Sequence, residues 1–146
     1  MKIGVVVVTH GQLAAELVNS AEMIVGDLPL FAAVSIGWHD DVDRAKDEIG
    51  RAIDRVRTSA AGPGPVAPGE VGVLVLTDLF GGTPANLAVT FVSADVEIIT
   101  GVNLPMLIKL ARSSSHGDLL TVAREMREVG QNAIWIASEL LRSEKT

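Results

Sequence analysis

Four short runs of valine, isoleucine and leucine constrain the fold of this chain more than any other feature of its sequence. Inside these runs apolar and polar residues do not alternate, as they would in a strand with one face in solvent. Continuous apolar runs of this length are typical of strands that are buried on both faces of a parallel sheet. The four predicted strands are Ile3–Val8, Leu30–Ile36, Val71–Leu76 and Val96–Ile99.

Segments with helical spacing separate these strands. Leu13, Leu17, Ala21 and Ile24 share one face of a helix that Gly26 can close. The second predicted helix covers 42–56, with Asp40 or Asp41 as its N-cap. The third and fourth begin at Thr83-Pro84 and at Asn103-Leu104-Pro105. A longer helical stretch covers 118–141, with Gly130 as a candidate break. Strands that alternate with helices predict a three-layer α/β/α fold around a mainly parallel central sheet of four strands.

The length of 146 residues fits one domain, 1–146. Residues 58–70 read TSAAGPGPVAPGE, a composition that predicts a surface loop rather than a domain boundary. The polar tail over 142–146 is expected to fray.

Charge and composition exclude several classes of protein. The net charge is −6 and no basic stripe is present, so we expect no nucleic-acid binding. The chain has no cysteine, which removes disulfides and thiolate metal sites. The apolar run at the amino terminus is too short to span a bilayer and lacks the pattern of a signal peptide, so we expect a cytoplasmic protein.

Candidate functional residues follow the predicted strands, because ligands of open α/β sheets bind beyond the carboxyl ends of the strands. His10 follows the first strand and Asp78 follows the third. If these strands are neighbours, the carboxylate can accept the N–H of one imidazole nitrogen and leave the other nitrogen as a nucleophile. This arrangement predicts phosphoryl transfer through His10 without a metal or any other cofactor.

Glycines beside these two residues suit the binding of an anionic phosphoryl group. Gly81, Gly82 and Thr83 can supply backbone N–H groups and a hydroxyl at the start of a helix. Gly11, also a predicted phosphate-binding residue, keeps a Cβ away from the backbone next to His10 and lets a partner protein approach closely. Each of these residues alone is also compatible with an ordinary turn or cap, so the prediction depends on their combination.

Other polar candidates fit structural roles better. His39 precedes Asp40 and Asp41 in a segment typical of a solvated loop that caps a helix, and three contiguous residues make a poor metal site. His116 lies in a serine-rich segment typical of a loop. The sequence does not decide whether Trp38 and Trp135 serve an interface or the core.

Three motifs carry a family resemblance over nearly the whole chain: VVVVTHGQLAAELVNSAEMIVG, VLVLTDLFGGTPANLA and EIITGVNLPML. They closely resemble the enzyme IIA domain of the mannose/sorbose family of the bacterial phosphoenolpyruvate-dependent sugar phosphotransferase system. The resemblance implies that His10 is the phosphorylated residue and that Asp78 is its hydrogen-bonding partner.

The resemblance also implies a set of partners. The phosphocarrier protein HPr would donate the phosphoryl group, an enzyme IIB domain would accept it, and the membrane would be involved only through the transporter complex. A homodimer that exchanges an antiparallel edge strand is implied in the same way. Two segments depart from the family pattern: the loop over 58–70 is longer, and residues 38–41 differ at a position that could contact the partner proteins. The chain ends after the last helix, as expected of a stand-alone IIA protein.

Three alternatives accompany this hypothesis. The chain could be the phosphotransfer subunit of a dihydroxyacetone kinase, or a regulatory phosphoprotein that is not tied to sugar transport. A receiver-like domain phosphorylated on aspartate is disfavoured, because Thr9-His10-Gly11 stands where such a domain needs acidic ligands for Mg²⁺. No residue is expected to identify a sugar, since sugar specificity belongs to the membrane components.

Overall fold

A computed structural model describes residues 1–113 and 117–144. Its central sheet has four strands, all parallel, in the order β2-β1-β3-β4. The strands are β1 (Lys2–His10), β2 (Phe31–Ile36), β3 (Val71–Thr77) and β4 (Val96–Thr100). The three-layer α/β/α fold with a four-stranded parallel sheet is therefore confirmed.

Helices cover both faces of this sheet. They are α1 (Leu13–Val25), α2 (Val42–Ala61), α3 (Thr83–Ala88), α4 (Leu104–Arg112), α5 (Leu119–Asn132) and α6 (Ala137–Glu144), with a short 3₁₀ helix over Val89–Phe91. Of the two candidate caps for α2, Asp41 has the role, since its side chain accepts the N–H of Asp43. No helix within the described ranges is long and apolar enough to cross a membrane.

Alternate residues of the buried strands divide the core into two parts. Val6 and Val8 pack with α2 and α3, whereas Val5 and Val7 pack with α1, α4 and α5. All four valines are at most 1% exposed, because helices cover the sheet on both sides. This two-sided burial explains why the strand appears in the sequence as a continuous apolar run.

Two predicted boundaries need correction. Helix α2 continues to Ala61 and ends at Gly62, so the loop predicted over 58–70 begins four residues later. The stretch predicted over 118–141 is divided at 133–136, not at Gly130. Gly130 is buried inside α5, where an added Cβ would collide with the side chain of Met106. Close packing between α4 and α5 therefore explains this glycine.

The carboxyl-terminal part of the chain bears on the remaining predictions. Residues 142–144 of the tail expected to fray belong to α6, and residues 145 and 146 lie outside the described part of the chain. His116 lies outside it as well. The strands that the structure describes are all parallel, so the exchanged antiparallel edge strand stays a prediction.

Candidate functional site

The candidate site lies between β1 and β3, from which the chain continues to the two opposite edges of the sheet, from β1 to β2 and from β3 to β4. β1 and β3 are neighbours in the sheet, and the helices that follow them, α1 and α3, pack on opposite faces. A crevice between the carboxyl ends of two such strands is the usual ligand site of an open α/β sheet. His10 is the last residue of β1 and Asp78 is the first residue after β3, so both stand at this crevice.

The structure brings His10 and Asp78 into direct contact. Oδ2 of Asp78 lies 2.7 Å from Nδ1 of the imidazole and accepts the backbone N–H of His10 at 3.0 Å. The other oxygen, Oδ1, accepts the backbone N–H of Leu79 at 3.0 Å. One carboxylate thus fixes both the backbone and the ring of His10, which restricts the orientation of the imidazole.

Electrostatics define the proton positions in this pair. Burial alone would raise the pKa of Asp78, but the hydrogen bonds from the backbone and ring of His10, and the charge of that ring, lower it. The carboxyl is therefore ionised at neutral pH and can only accept hydrogen bonds. In the neutral ring the proton must then sit on Nδ1, and Nε2 keeps a free lone pair.

The side chain of His10 is accessible to a reaction partner and that of Asp78 is shielded, as the transfer of a group to the imidazole requires. The side chain of His10 is 51% exposed, whereas that of Asp78 is 11% exposed. Nε2 of the ring points away from the carboxylate, because Nδ1 makes the contact. A reaction partner can therefore reach the imidazole while its orienting carboxylate stays shielded.

Gly82 forms a wall against the imidazole. A Cβ built on this residue would lie 2.8 Å from Cε1 and 3.3 Å from Nε2 of His10. The backbone of Gly82 has φ −86°, which any residue adopts, so steric room for the ring is what requires glycine here. Gly82 is also the N-cap of α3, whose first residues are Thr83 and Pro84. The reactive edge of the ring thus lies beside the start of a helix.

The other predicted glycines have different roles. Gly81 has φ +87° and Gly11 has φ +56°, with open space around the position of a Cβ in both. These left-handed conformations explain the two glycines. The N–H of Gly11 donates to the carbonyl of Ile36 at 2.8 Å, so this residue can contribute to the site through its missing Cβ, as predicted, but not through its N–H.

Thr9 is a positioning residue that sequence reasoning missed. Its hydroxyl is fully buried, accepts the N–H of Ala14 at 2.7 Å and donates to the carbonyl of His10 at 3.1 Å. It therefore ties the backbone of His10 to the first turn of α1. A hydroxyl at the end of an otherwise apolar buried run, just before a helix, was the available signal.

The segment after β2 has a structural explanation. Oδ2 of Asp40 accepts the N–H of Gly37 at 2.7 Å, and the N–H of Asp40 donates to the carbonyl of Gly37 at 3.3 Å. Asp40 therefore closes a turn and Asp41 caps α2, which leaves Trp38 and His39 at the exposed tip. In the two described ranges no group of three or more His, Cys, Asp or Glu side chains could hold a metal ion.

Comparisons with known proteins place the chain among sugar phosphotransferase components. The family model described as "EIIA-man: PTS system fructose IIA component" matches residues 4–126. The fructose-specific EIIA component of Bacillus subtilis (strain 168) is 28% identical over 146 residues, covering 99% of this chain and 92% of that protein. The mannose-specific EIIAB component of Escherichia coli (strain K12) is 33% identical over 140 residues, which cover 92% of this chain and 40% of that longer protein.

A solved structure agrees with these relatives in sequence and fold. The mannose/sorbose-specific IIA subunit of the phosphotransferase system from Enterococcus faecalis is 30% identical, with a TM-score of 0.74. The match covers 93% of this chain and 95% of that one. The family resemblance carried by the three sequence motifs is therefore confirmed. Because the family model matches most of the chain, this protein belongs to the EIIA-man family of phosphotransferase system IIA components.

Proposed function

We propose that His10 accepts a phosphoryl group from the phosphocarrier protein HPr and passes it to an enzyme IIB domain. The observation that carries this proposal is the 2.7 Å contact between Nδ1 of His10 and Oδ2 of Asp78. It leaves Nε2 as a nucleophile on a half-exposed ring, in a chain of a phosphotransferase family.

The reaction follows from this geometry. The lone pair of Nε2 forms a bond to phosphorus while the bond between phosphorus and the leaving atom of the donor breaks. The proton stays on Nδ1, so the phosphorylated ring carries a positive charge that faces the carboxylate of Asp78. Transfer to the acceptor reverses these steps, and Asp78 again keeps the ring in its nucleophilic form. No metal and no other cofactor takes part in this scheme.

The start of α3 supports the proposed binding of the phosphoryl group. Nε2 faces Gly82, the N-cap of α3, and the first N–H groups of a helix have no partner inside it. We infer that the backbone of Gly81 and Gly82 and the hydroxyl of Thr83 donate to the phosphoryl oxygens. Positioning and charge stabilisation of this kind supply most of the catalysis in phosphoryl transfer.

The carboxyl-terminal segment supports a homodimer. Three consecutive apolar residues between α5 and α6, Ile134, Trp135 and Ile136, are 80%, 67% and 61% exposed. β4 is an edge strand of the described sheet, and a second copy of residues 133–136 could pair in an antiparallel direction with its outer edge beyond Val96, whose carbonyl accepts the N–H of Ser93. If Trp135→Asp leaves the oligomeric state in sedimentation equilibrium unchanged, this arrangement is wrong.

We also place the protein in the cytoplasm, with contact to the membrane only through the transporter that its acceptor serves. The described helices include none that could cross a bilayer, which is compatible with this location. The two alternatives, a dihydroxyacetone kinase subunit and a regulatory phosphoprotein, are not favoured by the relatives, which are named as components of sugar phosphotransferase systems.

Phosphoryl transfer from labelled phosphoenolpyruvate through enzyme I and HPr tests the function and the residue together. Wild-type protein should take up a label that is labile in acid and stable in base. His10→Ala should take up none, whereas His39→Ala, which alters an exposed histidine after β2, should be labelled normally. Labelling of His10→Ala at the wild-type level would refute His10 as the acceptor.

A further inference from the structure

Two strongly exposed aromatic side chains stand near the candidate site. Trp38 is 99% exposed and Phe80 is 85% exposed. The chain has only two Trp, three Phe and no Tyr, so this end of the molecule holds a large share of its aromatic surface. Exposed aromatic side chains are characteristic of protein interfaces, where they supply much of the binding free energy.

The order of the strands places these two side chains on opposite sides of His10. β1, which ends at His10, lies between β2 and β3 in the sheet. Trp38 follows β2 and Phe80 follows β3. Within the sheet His10 pairs with Ile36, two residues before Trp38, and it contacts Asp78, two residues before Phe80.

Trp38 occupies the tip of a closed turn. The two hydrogen bonds between Gly37 and Asp40 hold the ends of this turn together, so Trp38 is presented to solvent by a constrained backbone. A constrained segment loses less conformational entropy on binding than a free loop does. The position therefore suits an anchor for a partner protein.

Charge defines the partner that fits this surface. Three aspartates and no lysine or arginine lie at the carboxyl ends of the four strands, in residues 10–12, 37–41, 78–82 and 101–103. A second copy of this chain would bring like charges together face to face, and an anionic lipid surface would be repelled as well. Complementarity therefore requires a protein face that combines apolar side chains with lysine or arginine.

We propose that Trp38 and Phe80 form the two sides of a docking surface for a basic, apolar protein face that exchanges a phosphoryl group with His10. This inference rests on the proposed function, since it assigns the partner surface of the same site. Trp38 contributes affinity by inserting into the partner, while the chemistry stays with His10 and Asp78.

Steady-state phosphoryl transfer, with HPr as donor and with an enzyme IIB domain as acceptor, tests the docking surface. Trp38→Ala should raise KM for at least one of these partners by about tenfold and leave kcat within about twofold. Trp38→Phe should recover part of the loss. Met23→Ala is the matched control, because Met23 is 88% exposed near the end of α1 that lies away from His10, and its KM should stay at the wild-type value.

The outcomes separate the docking surface from the proposed function. An unchanged KM of Trp38→Ala with both partners, a fall in kcat alone, or an equal rise in KM in Met23→Ala overturns the docking surface. Failure of the wild-type protein to accept any label overturns the proposed function instead. Higher ionic strength should raise KM of the wild type, and a KM independent of salt would contradict the charge complementarity.

Discussion

Replacing Asp78 by asparagine separates the charge of this side chain from its shape. The carboxylate accepts three hydrogen bonds, from the backbone and ring of His10 through Oδ2 and from the backbone of Leu79 through Oδ1. The amide of asparagine has one oxygen and one NH₂ group, so in either orientation at least one of these N–H donors must face another donor. The conservative substitution thus disrupts the site even if the fold is kept.

The magnitude follows from the negative charge that no longer faces the positively charged ring, since even an amide oxygen in the place of Oδ2 is a neutral acceptor. A hydrogen bond to a charged group contributes about 1.5–3 kcal/mol. A neutral ring becomes cationic as the N–P bond forms, so the loss falls mainly on the transition state and the phosphorylated product. At about 1.4 kcal/mol for each factor of ten, single-turnover transfer should slow by roughly ten- to a hundredfold.

Rapid-quench measurements with phosphorylated HPr would determine this rate. Asp27→Asn is a matched control, because Asp27 is an exposed carboxylate that follows α1 at the opposite end of the sheet. It should transfer at the wild-type rate. A rate for Asp78→Asn within about twofold of the wild type would refute the reasoning that Asp78 stabilises the charged ring.

Three further predictions follow from the same geometry. Gly82→Ala should slow transfer by about tenfold or more, because the added Cβ would displace the ring of His10. The urea unfolding midpoint should shift little, and transfer at the wild-type rate would contradict this prediction. Thr9→Val should lower the free energy of unfolding by about 1–3 kcal/mol, because the buried N–H of Ala14 would lose its hydrogen-bond acceptor. Thr9→Ser keeps the hydroxyl and is the control. The pKa of Asp78 is lowered in the folded state, so the ionised carboxylate stabilises the fold. This stabilisation is fully present above the unfolded pKa of about 3.9 and is lost as the pH falls through the lower folded pKa. The stability difference between wild type and Asp78→Asn should therefore shrink in acid, and a difference that stays constant down to pH 2 would contradict this.

Much of the fold could be predicted because its strands are buried on both faces. The valines of β1 pack against helices on either side, so their burial leaves a direct signature in the sequence. The proximity of His10 and Asp78 followed from one assumption, that β1 and β3 are neighbours, and the register of these strands bears it out.

Other features depend on tertiary contacts that local sequence does not encode. The steric role of Gly82 requires the ring of His10, which is 72 residues away in the chain, and a local pattern of two glycines only indicates a turn. Ile134 and Trp135 are as apolar as the residues of a buried helix face, so the break between α5 and α6 is not evident from composition. The hydrogen bond of the N–H of Gly11 to Ile36 depends on the pairing of β1 with β2.

The tautomer of His10 in the unphosphorylated protein is the most direct measure of the central claim. Nitrogen-15 NMR of the imidazole, assigned by comparison with His10→Ala, reports which ring nitrogen carries the proton. We expect the neutral ring to carry its proton on Nδ1 and a free lone pair on Nε2. A ring protonated on Nε2, with its lone pair towards Asp78, would contradict it.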